Sequence, residues 1–377
     1  MSGPHIHWTN EAGQAQSVPW RSESAAPPPK RVFLADDRMS ADQAFRLVSE
    51  GSAILWQGDF QNARQMLLAL TRRVSRKPKK PGATLTESFN LHRMAQAQRA
   101  RSLGLLLIPF DADYRIPLRR APDVHAACEE AHGPAEGPFV MSLRELLGLI
   151  GAHEWRKKGV EIQALGARIH PHYGVFSPVR GEYVDLVQRA PLPKALAQQG
   201  IAIDVGTGTG ILAALLARRG VQRVIATDQD ERALACAAEN LERLGFASRV
   251  ELRKADLFPA ERAALVVCNP PWLPAKPSSP LEYAVYDPES RMLRGFLQGL
   301  VAHLAPGGEG WLILSDFAEH LGLRSREQLE GWFAEAGLKV LDRLDIRPRH
   351  GKTMDPDDPL HAARKAEVTS LWRLGAA

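Results

Sequence analysis

The chain contains a glycine-rich segment whose residue types could hold a ligand close to the backbone. Residues 204–210 read Asp-Val-Gly-Thr-Gly-Thr-Gly and lie between the apolar residues 201–203 and a helical pattern over 211–219. Glycine permits a tight turn and lets a ligand approach where a Cβ atom would block it. The helix start offers free N–H groups and a positive dipole end to a polar or anionic group. The segment therefore predicts a ligand-binding turn between a strand and a helix.

A carboxylate further along indicates which ligand this turn holds. Asp228 ends the next predicted strand, where it can accept hydrogen bonds from both ribose hydroxyls of an adenosine ligand. Dinucleotide-binding turns read Gly-x-Gly-x-x-Gly, but Ile211 stands in place of the third glycine, and the glycines occupy 206, 208 and 210 instead. This spacing weakens the nicotinamide-dinucleotide alternative.

The elements that must position these residues alternate regularly after a linker-like segment at 190–193. Alternation of this kind predicts an α/β fold, a Rossmann-like, doubly wound and mostly parallel seven-stranded sheet with helices on both faces. The connection between the last two strands is too short for a helical crossover, so the last strand should be antiparallel. The predicted strands are 201–205, 221–227, 250–254, 264–268, 311–315, 338–346 and 367–374, and the helices are 210–219, 231–244, 290–304 and 325–337.

Four predicted strands end in residues suited to a ligand site. They end in the glycine turn, in Asp228, in Asp256 and in the sequence Asn-Pro-Pro-Trp at 269–272. Ligands of doubly wound sheets bind outside the carboxyl ends of the strands. We therefore expect these four strand ends to meet along one edge of the sheet.

On these motifs, residues 168–377 resemble the class I S-adenosylmethionine-dependent methyltransferases, within the amino-methyltransferases that carry Asn-Pro-Pro-(Tyr/Phe/Trp). Segment 203–210 is similar to their first motif, Asp228 to their ribose-binding acid, and residues 256–257 to the pair that contacts adenine. The resemblance implies S-adenosyl-L-methionine as cofactor and no metal. The cofactor-binding residues that it implies are Asp204, Gly206, Thr207, Gly208, Thr209, Gly210, Asp228, Asp256, Leu257 and Asn269, and the catalytic residues are Asn269, Pro270, Pro271 and Trp272.

The chemistry of such a methyl transfer explains the residue types at 269–272. An amide or exocyclic base nitrogen is a poor nucleophile because its lone pair is delocalised. The Asn269 side-chain oxygen and the Pro270 carbonyl can accept hydrogen bonds from the NH₂ group and so favour a pyramidal nitrogen, a stabilisation that grows in the transition state. The prolines hold these acceptors rigid, and Trp272 offers a flat face for stacking. His153, His170 and His172 need no catalytic role, although His172 is a weaker candidate for a ligand contact.

Two substrate classes remain open within this family. The segment 173–183, which precedes the first core strand and is called the lead-in segment, contains Phe176 and Arg180. It is similar in position to the corresponding segment of release-factor glutamine methyltransferases, but its residues and Trp272 differ from their pattern. Small-domain ribosomal RNA guanine methyltransferases share its Gly-Val-Phe sequence and have an extra N-terminal domain. The loop from 347 to 365, with Arg347 and Arg349, should reach the catalytic edge. The candidate substrate-binding residues are Phe176, Arg180, Trp272, Arg347 and Arg349.

The region before the catalytic half is predicted to form a disordered tail over residues 1–30 and an accessory, substrate-recognition α+β domain over 31–167. Ser142 and Glu145 form a capping-box pattern at the start of a helix that should stop at Gly151. Between Arg64 and Arg120, thirteen basic residues stand against three acidic ones, a balance typical of either a phosphate-binding surface or a solvated face. This balance favours RNA slightly as the partner, ahead of a translation-related protein.

Composition excludes several other classes of protein. The chain has 377 residues, 45% of them hydrophobic, with three cysteines far apart, which argues against a disulfide framework or a zinc knuckle. It shows neither a signal-peptide pattern nor an apolar run long enough to cross a bilayer, so we expect a cytoplasmic protein without membrane contact. A ligand sensor or RNA scaffold that kept this fold without catalysis remains an alternative. The sequence leaves the oligomeric state open.

Overall fold

The computed structural model describes residues 3–10, 12–75, 82–177, 181–277, 282–348 and 358–377. These residues divide into two compact units. Unit 1 comprises the described residues up to 75 together with 90–154, and unit 2 comprises 82–89 and the described residues from 155 onwards. Unit 2 thus begins ahead of the predicted boundary at 168, because Ile162, Leu165 and Ile169 belong to its hydrophobic core.

Unit 1 contains a four-stranded sheet and a separate two-stranded sheet. The strands of this unit are β1 (His5–Thr9), β2 (Ala15–Pro19), β3 (Val32–Ala35), β4 (Ala53–Trp56), β5 (Leu106–Phe110) and β6 (Phe139–Ser142). Its helices are α1 (Ala41–Ser49), α2 (Phe60–Val74), most of α3 (Leu85–Leu103), α4 (His125–His132) and most of α5 (Leu143–Lys158). The sheet order is β3-β4-β5-β6, in which only β6 pairs antiparallel. Parallel strands alternating with helices make this unit α/β, whereas α+β was predicted.

Residues 1–30 were predicted to be a disordered tail, and the structure contradicts this. Strands β1 and β2 pair antiparallel over five residues each. Ile6 is fully buried and Trp20 is 7% exposed, and both belong to a core cluster with Leu55 and Leu107 of the four-stranded sheet. The polar composition of the segment masked the few apolar side chains that these short strands turn toward the core.

The predicted capping box at the start of α5 is also wrong. The Ser142 hydroxyl accepts a hydrogen bond from the Arg144 N–H, as a cap does. The Glu145 carboxylate, however, accepts hydrogen bonds from the Ser22 and Ser24 hydroxyl groups and so holds the N-terminal segment in place. Helix α5 continues past Gly151 to Lys158, because a glycine within a helix costs only about 1 kcal/mol.

Unit 2 contains the predicted seven-stranded sheet. Its strands are β7 (Val160–Ile162), β8 (Ala167–Ile169), β9 (Ile201–Val205), β10 (Arg223–Asp228), β11 (Val250–Lys254), β12 (Ala263–Cys268), β13 (Leu304–Ser315), β14 (Leu338–Ile346) and β15 (Thr369–Ala376). Its helices are α6 (Glu182–Arg189), α7 (Leu196–Gln199), α8 (Ile211–Arg218), α9 (Glu231–Arg243), α10 (Arg291–His303), α11 (Phe317–His320), α12 (Arg326–Glu335) and α13 (His361–Ala366). Strands β7 and β8 form a separate hairpin.

The order of the large sheet is β11-β10-β9-β12-β13-β15-β14. Strands β11 to β13 run parallel, and β15 lies antiparallel between β13 and β14. The predicted Rossmann-like fold with an antiparallel last strand is therefore confirmed. The order differs from the six-stranded dinucleotide-binding order by the insertion of the last strand beside the fifth.

Alternating side chains of the strands pack against helices on both faces of this sheet. Ala202 and Val267 share one core with α6, α8 and α9, whereas Ile203 and Val266 share the other with α10 and α12. This three-layer packing holds the carboxyl ends of the parallel strands at one edge. No helix within the described residues is both long enough and apolar enough to cross a membrane.

Candidate active site

The glycine turn follows β9 directly and adopts a backbone that favours glycine. Gly206, Gly208 and Gly210 have φ values of +72°, +54° and +79°. A Cβ atom on Gly206 would lie 2.7 Å from the Met292 methyl carbon, and one on Gly210 would lie 3.1 Å from the Ala237 Cβ. A Cβ atom on Gly208 would meet nothing within 4 Å. Two of the glycines thus allow packing inside the protein, and the middle one leaves the open space that a cofactor requires.

Asp204 shapes this turn from inside the protein. Its side chain is 1% exposed, and its Oδ2 atom accepts hydrogen bonds from the Thr207 hydroxyl at 2.7 Å and the Ala213 N–H at 3.1 Å. Burial raises the pKa of Asp204 to about 6, against the lowering effect of these two donors. The side chain therefore ties the turn to the first turns of α8. Its predicted cofactor contact stays a prediction.

Asp228 stands at the end of β10, next to the glycine turn. Its Oδ2 atom accepts the Gly208 N–H at 3.0 Å, and its Oδ1 atom accepts the Asp230 N–H at 3.0 Å. The side chain is half-buried, and desolvation raises its pKa. Each carboxylate oxygen keeps a further lone pair. Asp228 is thus oriented by the turn and retains the acceptors that a ribose diol needs.

The predicted adenine-contacting pair follows β11 at the next strand end. Asp256 is exposed and forms a 3.4 Å ion pair with Arg291, an exposed contact of little energetic weight. Leu257 has a φ of +75°, an unusual conformation for a residue other than glycine, and its carbonyl accepts the Thr227 hydroxyl at 2.6 Å. This hydrogen bond holds the strained residue beside the end of β10.

The Asn-Pro-Pro-Trp segment begins where β12 ends, beside the glycine turn. Strands β12 and β9 pair in parallel with Cys268 opposite Val205, so Asn269 follows at the level of Gly206 on the neighbouring strand. The Trp272 indole N–H donates a hydrogen bond to Asn269 Oδ1 at 2.9 Å. This contact was not predicted: Trp272 orients the Asn269 amide, and the oxygen keeps one lone pair for a second donor.

A polar residue that the sequence analysis did not select, Asn240, supports the turn from α9. It is 1% exposed; its Nδ2 atom donates to the Thr209 carbonyl at 3.1 Å, and its Oδ1 atom accepts the His170 N–H at 2.7 Å. Asn240 therefore links the lead-in segment to the glycine turn. The available signal was a lone amide among the buried residues of α9, which also include Ala237 and Leu241.

Asp287 is a second supporting residue. It is 5% exposed, and its carboxylate oxygens accept the N–H groups of Met292 at 2.9 Å and Leu293 at 3.1 Å. Burial raises the pKa of Asp287. The carboxylate thus caps the start of α10 and places the Met292 side chain against Gly206.

The histidines near the site make contacts within the protein. His172 Nε2 lies 3.0 Å from a Glu239 carboxylate oxygen, and His170 Nδ1 lies 2.6 Å from the Arg156 carbonyl. The described residues contain no cluster of His, Cys, Asp and Glu that could hold a metal ion. The contacts of His170 with Arg156 and of His172 with Glu239 stabilise the lead-in segment.

The predicted substrate-binding residues lie at different distances from Asn269 in the fold. Phe176 is 42% exposed and follows β8 in the lead-in segment. Arg347 is exposed and follows β14, which lies three strands from β12, so roughly 14 Å of sheet separates the two strands. Arg180 and Arg349 lie outside the described residues.

Residues 166–336 match the family model of the methyltransferase small domain. This part of the chain is therefore similar to the methyltransferase small domain. The match confirms the resemblance to class I S-adenosylmethionine-dependent methyltransferases, and it covers the glycine turn, Asp228 and the Asn-Pro-Pro-Trp segment.

Curated proteins similar to this domain are methyltransferases named for different substrates. The chain is 39% identical over 164 residues to a release factor glutamine methyltransferase of Cereibacter sphaeroides, a match that covers 39% of this chain and 56% of that protein. It is 44% identical over 80 residues to a ribosomal protein L11 methyltransferase of Pelotomaculum thermopropionicum, covering 21% and 26% of the two chains. It is 34% identical over 74 residues to a tRNA1(Val) (adenine(37)-N6)-methyltransferase of Vibrio cholerae, covering 19% and 31%. The chain thus spans about half or less of the length of these relatives.

Proposed function

We propose that this protein transfers a methyl group from S-adenosylmethionine to a planar amino or amide nitrogen of a macromolecule. The observation that carries the proposal is the register of β9 and β12, which brings the Asn269 amide beside the glycine turn. The turn supplies open space at Gly208 and a carboxylate at Asp228, both suited to the cofactor. The neighbouring strand end supplies acceptors suited to an NH₂ group.

Each residue of this site has a distinct task in the proposed reaction. The cofactor supplies an electrophilic methyl group on a positively charged sulfur atom. Asn269 Oδ1, oriented by the Trp272 indole, accepts one N–H of the substrate, and the Pro270 carbonyl accepts the other. These bonds direct the nitrogen lone pair toward the methyl carbon, and the fixed φ angles of the prolines keep the acceptors in place. With the cofactor bound, the nitrogen would gain the methyl group in place of one hydrogen, the proton would pass to solvent, and S-adenosylhomocysteine would be the leaving group.

A base in RNA, for example in ribosomal RNA, is the substrate that we place first. The excess of basic residues between Arg64 and Arg120 supports it. Part of this positive charge is neutralised within unit 1, because three arginines of the segment form ion pairs with aspartates that precede it in sequence. These pairs are Arg73 with Asp42 at 2.8 Å, Arg119 with Asp37 at 3.1 Å and Arg120 with Asp59 at 2.6 Å.

A protein glutamine is the second candidate substrate. The similarity to the release factor glutamine methyltransferase above and to a ribosomal protein uL3 glutamine methyltransferase of Bordetella pertussis, 37% identical over 114 residues, favours it. Glutamine presents the same planar NH₂ group to the Asn269 and Pro270 acceptors. The site chemistry therefore accommodates both substrates.

One transfer experiment tests the activity and separates the substrates. RNA and protein from cells that lack this protein are incubated with it and with S-adenosylmethionine labelled in the methyl group, and the label is followed by nucleoside and peptide mass spectrometry. Asn269→Ala should lower the rate of transfer about 10²–10³-fold while cofactor binding in calorimetry persists; Asn62→Ala on the exposed face of α2 is the matched control. Cofactor binding without transfer to either fraction would support a non-catalytic sensor instead.

A further inference from the structure

Unit 1 contains a cavity of about 230 Å³ whose lining includes the two arginines Arg99 and Arg144. Leu67, Ala100 and Leu103 contribute its apolar lining, and Leu67 and Leu103 are 8% and 4% exposed. The polar lining comes from three helices, α2, α3 and α5, and consists of Thr71, Gln96, Arg99 and Arg144. The cavity therefore lies between three helices of this unit and has two positively charged side chains in its lining.

The side chains of Arg99 and Arg144 have no polar partner within the part of the chain that the structure describes. Among the described residues, neither the Arg99 nor the Arg144 guanidinium group forms an ion pair or a side-chain hydrogen bond, whereas Arg115 pairs with Asp111 at 2.6 Å and Arg119 with Asp37 at 3.1 Å. Arg99 is half-buried, and Arg144 is exposed. Their positive charges thus stay available to a ligand at one place.

We propose that this cavity binds the sugar–phosphate backbone of RNA. Two guanidinium groups can each hold a phosphate oxygen pair in bidentate fashion, and the Thr71 hydroxyl and Gln96 amide add further donors. The volume is below the roughly 300 Å³ at which pockets begin to enclose a drug-sized ligand, so it fits one phosphate with its sugar. The cavity has no aromatic lining for base stacking. Binding here is therefore to the backbone, with little dependence on base sequence.

The site positions a substrate and takes no part in methyl transfer. It rests on the proposed function only in its choice of RNA as the ligand, and its residues lie wholly in unit 1. An acidic peptide would use the same charges through its carboxylates. The segment from Arg64 to Arg120, which includes Arg99, has thirteen basic residues against three acidic ones, and this balance favours a ligand with a charge at every unit, as in RNA.

The test measures binding of the full chain to a labelled 20-nucleotide single-stranded RNA of mixed sequence, without S-adenosylmethionine, over a series of salt concentrations. R99Q/R144Q should weaken binding about tenfold or more at low salt, because charge-assisted hydrogen bonds are lost. It should also reduce the slope of log affinity against log salt by about 1. R115Q/R119Q removes the same charge from arginines that already have partners, and it should change both quantities much less. R99K/R144K should give an intermediate affinity.

Three outcomes would overturn the inference. They are equal effects of R99Q/R144Q and R115Q/R119Q, no RNA binding by the native chain, and displacement of the RNA by polyglutamate at matched charge concentration. Circular dichroism and thermal unfolding of each variant show that it is folded. This binding assay contains no S-adenosylmethionine and measures no methyl transfer, so a failure of the methyltransferase proposal is recognised separately in the transfer assay.

Discussion

The hydrogen bond between Trp272 and Asn269 gives the sharpest test of how the site works. Trp272→Phe keeps an aromatic ring at this position and deletes the indole N–H that lies 2.9 Å from Asn269 Oδ1. A hydrogen bond of this kind contributes about 0.5–1.5 kcal/mol. If that energy orients the Asn269 acceptor in the transition state, kcat should fall about twofold to tenfold. KM and the affinity for S-adenosylmethionine should change little, because the stacking face remains.

A double-mutant cycle shows whether Trp272 acts through Asn269. Asn269→Ala alone should lower kcat by about 10²–10³-fold, the usual effect of removing one transition-state hydrogen-bonding group. In the Asn269→Ala background, Trp272→Phe should then have no further effect, because the oxygen that it orients is absent. Trp155→Phe, at a side chain that is 54% exposed, is the matched control. A native kcat in Trp272→Phe, or additive effects in the double variant, would refute the reasoning.

Three further residues have measurable roles. Asn240→Ala should lower the free energy of unfolding by about 2–4 kcal/mol and weaken cofactor binding, because the Thr209 carbonyl and the His170 N–H lose their buried partner; urea denaturation and calorimetry measure these two quantities. Asp228→Ala should weaken S-adenosylmethionine binding about 10–100-fold in calorimetry, because hydrogen bonds to a carboxylate are lost. For Asp204, burial raises the pKa from 3.8 for the free side chain to about 6 in the folded state, so the folded state binds one more proton than the unfolded state between these pH values. Protonation of the Asp204 carboxyl therefore stabilises the folded state by up to about 3 kcal/mol below about pH 4, and this contribution is lost as the pH rises through 6. Asp204→Asn should remove this part of the pH dependence of the free energy of unfolding.

Each of these predictions has a result that would contradict it. Unchanged stability of Asn240→Ala would mean that the two backbone groups find other partners. Native cofactor affinity in Asp228→Ala would exclude the ribose contact. An unfolding free energy whose slope between pH 4 and 6 is the same in Asp204→Asn and the native chain would show that the Asp204 carboxyl keeps its ordinary pKa when folded.

The catalytic half was predictable because its signals are local. Residues 201–205 form a buried strand, the glycines that follow need positive φ, and the pattern over 211–219 forms α8. Each depends on side-chain periodicity or backbone freedom within a few residues. The rule that ligands bind at the carboxyl ends of parallel strands then placed Asp228 and Asn269 at the same edge.

Unit 1 was less predictable because its contacts join residues far apart in sequence. The hairpin of β1 and β2 gains its stability from burying Ile6 against strands near residues 55 and 107, which its own composition does not reveal. Glu145 stands at the position of a capping-box residue, yet its carboxylate accepts hydrogen bonds from the Ser22 and Ser24 hydroxyl groups instead. A pattern of neighbouring residues does not predict a hydrogen bond to a residue far away in sequence.

The sequence by itself determined the glycine turn, the order of the strands along the chain and the residue types at 269–272. Only the tertiary structure decided that Trp272 orients Asn269 and that Asn240 supports the turn. It also decided that some arginines of the basic segment are paired, whereas Arg99 of this segment and Arg144 of α5 have no polar side-chain partner among the described residues. The physical reason is that backbone conformation depends on neighbouring residues, whereas the partner of a polar or charged side chain depends on which distant elements pack beside it.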